Sequence, residues 1–404
     1  MRAALISYEY AGTSGGGGIG TYVRNTAAML AEGGHEVHVF TPAPSGTGGA
    51  RLVVHPVAAA REAFREAVVD PFLSVHGSTP FDVIESPEFG ADGDFVMARL
   101  PQVARVVKLH TAAYQLGVMH LAYITPLAKA RFVAGALRRG QWPRPFWQGA
   151  VPDDAERRIA LAADQVISPS SALLEWTARD WPLDPARASV VPNPFVPGPE
   201  LLSADPARPG QTVCFVGKLE VRKGVLELAR AMREVVAAVP GAQLRVVGRA
   251  LPHPVDGCPL DEHMLRIAGP AATRIEFTGG VPYDHIAGHL ANSAVAVFPS
   301  YWEAFGYTCL EAMAAGCGVV GSTAGGMAEI IEPGRSGLLV PPRAPTALAD
   351  AIIALLRDSA RRAAMGAAAR KRVLDSYGAK AILPLQIAAY ERARVHASRH
   401  RDRN

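Results

Sequence analysis

A chain of 404 residues is too long for one ordinary hydrophobic core and suits two domains of about 200 residues each. Its 49% hydrophobic and 19% charged residues exclude a disordered chain, and a net charge of only +4, dispersed along the sequence, argues against a nucleic-acid binder. Four cysteines, at 214, 258, 309 and 317, have no CxxC spacing; this excludes a disulfide scaffold and fits a reduced, cytoplasmic setting, with Cys214 and Cys309 in apolar runs as small core residues.

The chain opens on a short strand pattern at 3–8, with none of the marks of a signal peptide, and no run approaches the roughly 18 apolar residues of a membrane span. The glycine-rich AGTSGGGGIGTY follows, then an amphipathic helix from about residue 21 to 32 that Gly33-Gly34 ends. Further strands are expected at 37–40, 52–57, 83–85, 104–109, 165–168 and 189–193. Strands alternating with helical patterns predict parallel βαβ units in a doubly wound sheet.

Four prolines between Pro192 and Pro199 make a stiff, extended segment, the expected linker. A second alternating series has strands at 213–216, 244–247, 275–278, 294–298, 319–321 and 338–340. The tail is helical at 347–357, 359–377 (with Ser359 as N-cap) and 380–397, and its polar end is expected to fray. Two α/β halves joined by a hinge imply a cleft, with loops from the carboxyl ends of both sets of strands aimed into it. Segment 127–147 carries Lys129, Arg131, Arg138, Arg139 and Arg144 without an acid, among Phe132, Trp142, Phe146 and Trp147. It reads as an exposed helix and loop, with an anionic membrane surface or an acidic acceptor as the alternatives.

The chemistry-bearing residues cluster at strand ends. Gly15 to Gly18 and Gly20 lie between a strand and a helix, where glycine lets backbone N–H groups approach a ligand; a lone glycine run is equally compatible with a flexible loop. His110 ends the strand VARVVKLH, with Thr111 placed to orient it; a lone histidine is more often structural. Lys218 follows the strand end at Gly217, and Lys223 precedes Gly224 and a helix. Two cations at such a mouth suit a departing diphosphate, although a single turn lysine is ordinarily just solvated. Glu303 and Glu311 stand eight residues apart across a loop and a helix whose N-terminus favours an anion. Carboxylates there make sense as acceptors for sugar or ribose hydroxyls. Asp92 and Asp94 have metal-pair spacing but read as a polar loop, and the twelve histidines show no HxH or HExxH zinc spacing.

Glu303-x7-Glu311, with EAMAAG, a strand, Gly325-Gly326 and Glu329 after it, resembles the retaining nucleotide-sugar glycosyltransferases of family four, the bacterial glycosyl transferases group 1. The resemblance covers essentially the whole chain, most strongly residues 212–341. It implies the GT-B architecture, an α/β fold of two Rossmann-like doubly wound parallel-sheet domains facing a cleft. Residues 1–192 would form the acceptor-side domain, 193–200 the linker and 201–378 the donor-binding domain, with a C-terminal helix at about 379–404 packing back on the first. The implied reaction moves a sugar from a nucleoside diphosphate sugar, UDP-sugar ahead of GDP-sugar, to an acceptor hydroxyl with retention and without metal or other cofactor.

By the same resemblance, Glu311 binds the ribose, Glu303 and His110 lie near the donor sugar, and Lys218 and Lys223 face the leaving diphosphate. Gly16, Gly17 and Gly18 close over the diphosphate and Gly217 belongs to the donor pocket. Phe305, Gly306 and Tyr307 offer backbone N–H groups, and Val281 touches the base through its backbone. Glu329 is read as a cap on its own helix. The chain departs from the pattern with Glu-Ala-Phe-Gly for Glu-Gly-Phe-Gly, Gly318 for a proline, and Gly248-Arg249-Ala250 for Val-Gly-x-Gly; none removes a charged partner, so donor specificity is what they bear on. The rival readings are a sugar phosphorylase or nucleotide-sugar epimerase of the same fold, a non-catalytic sugar-nucleotide binder, and an NAD-dependent oxidoreductase. The last lacks its ribose-binding acid, because the second strand ends in Thr41-Pro42.

Overall fold

The computed structural model describes residues 1–11, 17–42, 46–47, 49, 51–121, 124, 126–143 and 151–401. Its strands are β1 (Arg2–Ile6), β2 (Glu36–Thr41), β3 (Gly46–Thr47), β4 (Leu52–Pro56), β5 (Val83–Pro87), β6 (Ala104–Lys108), β7 (Gln165–Ser168) and β8 (Ala188–Val190) in one sheet. A second sheet holds β9 (Thr212–Val216), β10 (Gln243–Val247), β11 (Ile275–Gly279), β12 (Val295–Phe298), β13 (Gly318–Ser322) and β14 (Leu338–Val340). The first runs β3-β4-β2-β1-β5-β6-β7-β8, parallel except for the two-residue β3, and the second runs β11-β10-β9-β12-β13-β14, all parallel. In each, the first strand lies centrally and the chain reverses direction beside it, at β1/β5 and at β9/β12. Those are the switch points where the crevice of a doubly wound sheet opens.

The central strands bury nearly every residue, as helices covering both faces require: β2 is exposed only at Glu36, and β12 and β13 are buried throughout. The helix after β1, Gly18–Glu32, starts three residues earlier than its apolar pattern predicts. In the tail, the N-cap of the helix Ser359–Ser376 is Asp358, whose carboxylate accepts the Arg361 N–H at 2.8 Å, and not Ser359. Asp92 is no polar loop: it is buried, takes the Tyr8 N–H at 2.7 Å and pairs with Arg61 at 2.6 Å, while Asp94 pairs with Arg65. Cys317 joins Cys214 and Cys309 in the core.

The last helix, Ala379–Arg401, crosses back onto the first domain. Gln386 and Tyr390 reach the buried Glu85 carboxylate at 2.7 and 2.8 Å, and Tyr22 takes its other oxygen at 2.7 Å. Ala393 and Ala397 are buried as well, so the helix continues through the stretch expected to fray. The outgoing and returning crossings touch. Phe195, buried in the 191–198 segment, donates its N–H to the Tyr377 carbonyl at 2.8 Å, and the linker ends in a short helix, Pro199–Leu202. The helix Pro126–Arg138 exposes Leu127 and Leu137, and Trp142 is 85% exposed; Arg144, Phe146 and Trp147 lie outside the described residues. No helix among the described residues is long and apolar enough to cross a membrane.

Candidate active site

A cavity of about 370 Å3 opens between the two sheets and takes its walls from both. The first domain contributes Glu9, Gly17, Gly18, His110 and Thr111, the linker contributes Asn193, and the second domain contributes Arg222, Lys223 and residues 302–308. Every one of these follows the carboxyl end of a strand or starts a helix, as the topology demands.

The second-domain wall is shaped by two glycines. Gly224, with φ +72°, turns the chain into the helix Val225–Ala238, and a Cβ there would strike the Pro299 carbonyl. Gly325, with φ +76°, lets its strand-end loop run beside Glu303, and a Cβ there would strike the Glu303 backbone. These two close approaches bring Lys223 and Glu303, eighty residues apart, into direct contact. Glu303 Oε1 accepts from Lys223 Nζ and from Ser300 Oγ at 3.0 Å, and Arg222 stands 3.9 Å away. Burial pushes this carboxyl up, but the Lys223 and Arg222 charges outweigh it and hold the group below its ordinary range. Arg222 is itself anchored on Glu220 at 2.5 Å.

The first-domain wall is held by Glu88. It is buried and accepts the His110 N–H at 2.7 and 2.8 Å and the Thr111 N–H at 2.8 Å. Burial drives its carboxyl up to about 7 despite those donors. His110 packs edge-on to Tyr22, ring centroids 5.1 Å apart. Burial and then the nearby Lys108 charge push its pKa well below the ordinary histidine value, so the imidazole is neutral. Its Nε2 is buried without a hydrogen-bond partner, and so is Asn193 Oδ1. Two such atoms on one cavity wall are open to a ligand's polar groups.

Residues 16–197 match Glycosyltransferase Family 4 and residues 210–358 match Glycosyl transferases group 1. The chain belongs to the group 1, family 4 glycosyltransferases. It is 28% identical to the D-inositol 3-phosphate glycosyltransferase of Corynebacterium jeikeium, over 91% of each chain, and 26% identical to the MMP alpha-(1->4)-mannosyltransferase of Mycolicibacterium hassiacum, over 97% and 98%. The sucrose-phosphate synthase of Thermosynechococcus elongatus superposes with a TM-score of 0.69 at 26% identity, covering 96% of this chain and 98% of that one. The two facing Rossmann-like domains are the GT-B architecture.

In this glycosyltransferase, His110, Lys223, Glu303, Phe305, Gly306, Tyr307, Gly17 and Gly18 all line the cavity. Gly16 lies outside the described residues. Glu311, one turn further along the helix Tyr307–Ala314, is off the cavity wall and buried under the Tyr283 hydroxyl, which donates to it. Burial pushes Glu311 up to about 7 against that hydrogen bond and the Arg24 charge, and its Oε2 has no partner. Lys218, Gly217 and Val281 are also absent from the wall. Lys218 is exposed at the strand end, where its charge reaches Glu9, and Val281 packs its side chain on the domain core. Thr111 donates its hydroxyl to the His110 carbonyl.

Glu329 does not cap its own helix. Its carboxylate accepts the N–H groups of Ser171 and Ala172 at 3.0 and 2.9 Å, capping the first-domain helix Ser171–Asp180 from across the cleft. Ser170 Oγ, at 2.6 Å from the Ala304 carbonyl, and the edge-on pair Trp176–Trp302, at 4.7 Å, complete that contact.

Sequence reasoning passed over Glu9, Glu88 and Asn193. Glu9 follows β1 by three residues, the same strand-end position that singled out His110. Burial raises its carboxyl against the pull of Arg61, the Gly20 N–H and Lys218. Asn193 reads in the sequence as part of the linker, and Glu88 carries no motif at all.

Proposed function

We propose that this glycosyltransferase moves a hexosyl group from a nucleoside diphosphate sugar to an acceptor hydroxyl with retention at the anomeric carbon, and without a metal ion. The observation that carries the reading is the cavity wall itself, where two cations, a helix N-terminus and the unpartnered His110 and Asn193 atoms converge from both domains. Lys223 and Arg222 supply the positive charge that a leaving diphosphate needs as the anomeric C–O bond breaks. The first turn of the helix Tyr307–Ala314 adds its dipole. All three Glu303 contacts fall on Oε1, so Oε2 can take a sugar hydroxyl, and the neutral His110 Nε2 can take another. The ribose belongs at Glu311, whose Oε2 lacks a partner. The acceptor oxygen attacks from the side the leaving group departs from, and its proton passes to the departing phosphate. Closure of the domains excludes water that would otherwise hydrolyse the donor.

The relatives' names, an inositol phosphate glycosyltransferase and a mannosyltransferase, support a small polar acceptor and a hexose donor. UDP-sugars are placed before GDP-sugars as donors, and a cytoplasmic location goes with both. The test is a thermal-shift panel without metal, using UDP, GDP, ADP, NAD and the common sugar conjugates, followed by donor turnover in EDTA. A response to one nucleoside diphosphate, with turnover surviving EDTA, is the expected result. At a hundred times its dissociation constant that ligand stabilises by about 2.7 kcal/mol. A response to NAD alone, or to no nucleotide, overturns the reading.

A further inference from the structure

After β10 the chain forms a small hairpin before entering the helix Leu260–Ala268. Pro252 and Pro259 pair across it, His253 donates its N–H to the Cys258 carbonyl at 2.8 Å, and Gly257, with φ +71°, makes the turn and returns its N–H to the His253 carbonyl at 2.9 Å. Asp256 Oδ1 accepts the Cys258 N–H at 3.1 Å, which fixes the carboxylate inside the turn. The helix start is equally fixed, because Leu260 and Met264 are buried in the core of the second domain. His263, next to Met264 in the chain, is thereby held over the hairpin.

This packing collects three metal-ligand side chains that are scattered in sequence. One ring nitrogen each of His253 and His263 and one oxygen of Asp256 lie within 4.8 Å of one another. Asp256 Oδ1 is 3.0 Å from His263 Nε2 and 3.5 Å from His253 Nδ1, and the two rings stand 4.5 Å apart at 33°. The Val255 N–H stands 3.4 Å from His253 Nδ1, at the outer limit of a hydrogen bond, so a metal at that nitrogen displaces only a weak contact. The histidine side chains are 16% and 15% exposed and the aspartate 48%, so the cluster is shielded on one side and open to solvent on the other. Arg266, the nearby cation, is turned to Cys258 Sγ at 3.2 Å.

We infer that His253, Asp256 and His263 form a site for a borderline first-row dication, zinc before the others, that staples the hairpin to its helix. Two imidazoles and one carboxylate are a zinc-type donor set, and three protein ligands leave one coordination position to water. None of the three lines the cleft cavity, so the site is separate from sugar transfer and stands whether or not the proposed function holds. The H-x2-D-x6-H spacing evades a search for HxH or HExxH because its ligands come from a hairpin and a helix together.

The test uses the full-length chain, free of any added histidine tag, stripped with EDTA and dialysed against micromolar zinc. One equivalent bound to the wild type and none to H253A/H263A is the expected result. Cobalt in place of zinc should give visible absorption in the wild type alone, and zinc should raise the melting temperature of the wild type by several degrees but not that of the double variant. His38 and His55, 2.7 Å apart with Glu36 beside His38, are the obvious competing ligands, so H38A/H55A serves as the control and should keep the equivalent. Should H253A/H263A fold poorly, D256N replaces it, since Asp256 is half exposed, and should bind zinc at least tenfold more weakly. Zinc bound equally by the double variant or D256N, lost in H38A/H55A, or absent from the wild type overturns the assignment.

Discussion

Glu303 and Glu311 are eight residues apart, both largely buried, and they respond to burial in opposite ways. Glu303 sits on a loop that glycine turns bring against Lys223 and Arg222, and the two cations hold it ionised. Glu311 sits on a helix with a tyrosine hydroxyl over it and Arg24 as its nearest positive charge, and burial drives it up to about 7. The lesson is that environment, and not residue type, assigns the work. A carboxylate oxygen locked in an ion pair is an electrostatic fixture, while one left without a partner is a receptor for hydroxyl groups.

The largest expected effect comes from breaking the ion pair. Lys223→Ala removes the cavity's central cation and leaves Glu303 with Arg222 alone, and turnover should fall by about 10²–10³-fold, as when one transition-state donor is lost. Lys218→Ala, an exposed charge off the cavity wall, should cost less than about tenfold. Steady-state release of nucleoside diphosphate measures both, and equal losses would mean that the cavity wall does not mark the diphosphate site. Next comes Glu311→Ala, which removes the acceptor proposed for the ribose and should weaken nucleotide binding by about 10–100-fold, corresponding to roughly 1.5–3 kcal/mol. Calorimetric titration with the preferred nucleotide reads this, and unchanged affinity would move the ribose elsewhere.

The same residue gives a pH signature. The folded protein binds the Glu311 proton more tightly than the unfolded chain does, since its pKa is raised from 4.5 to about 7. That contribution to stability is therefore complete below about pH 4.5 and is lost as pH rises through 7. Between pH 5 and 8 the melting temperature of the wild type should fall more than that of Glu311→Gln. Glu88 has the same sign but is present in both proteins, so the difference isolates Glu311. The smallest effect is at the far contact between the domains. Glu329→Ala strips the Ser171 and Ala172 N–H groups of their acceptor while Ser170 still caps the helix Ser171–Asp180, and should cost about 1 kcal/mol, visible as a small shift in the denaturant midpoint.

Much of the second domain was legible because its signals are local. A strand end, a basic pair, a glycine and a helix start all fall within a dozen residues, and the side chains act near where they sit in sequence. The second sheet was legible strand for strand and the first lacked only the two-residue β3, because alternation of apolar strands and helices fixes a doubly wound fold. What could not be read depends on contacts distant in sequence. Gln386 meets Glu85 over a separation of 301 residues, and Glu329 meets Ser171 over 158. No pattern in either segment announces the other. Glu9 and Asn193 were missed for a different reason: a glutamate near a strand end and an asparagine between prolines are ordinary until the opposite domain closes a cavity over them. The His253–His263 cluster was missed because the spacings searched assumed ligands arranged along one helix or strand.

The hydrogen bond from Phe195 to Tyr377 joins the two strands of chain that pass between the domains. A single covalent crossing would act as a swivel, leaving the domains free to bend in two directions and to twist. Two crossings pinned side by side act as a door hinge and leave one rotational degree of freedom. The first-domain wall, with His110, and the second-domain wall, with Lys223, can therefore part and meet along a single arc.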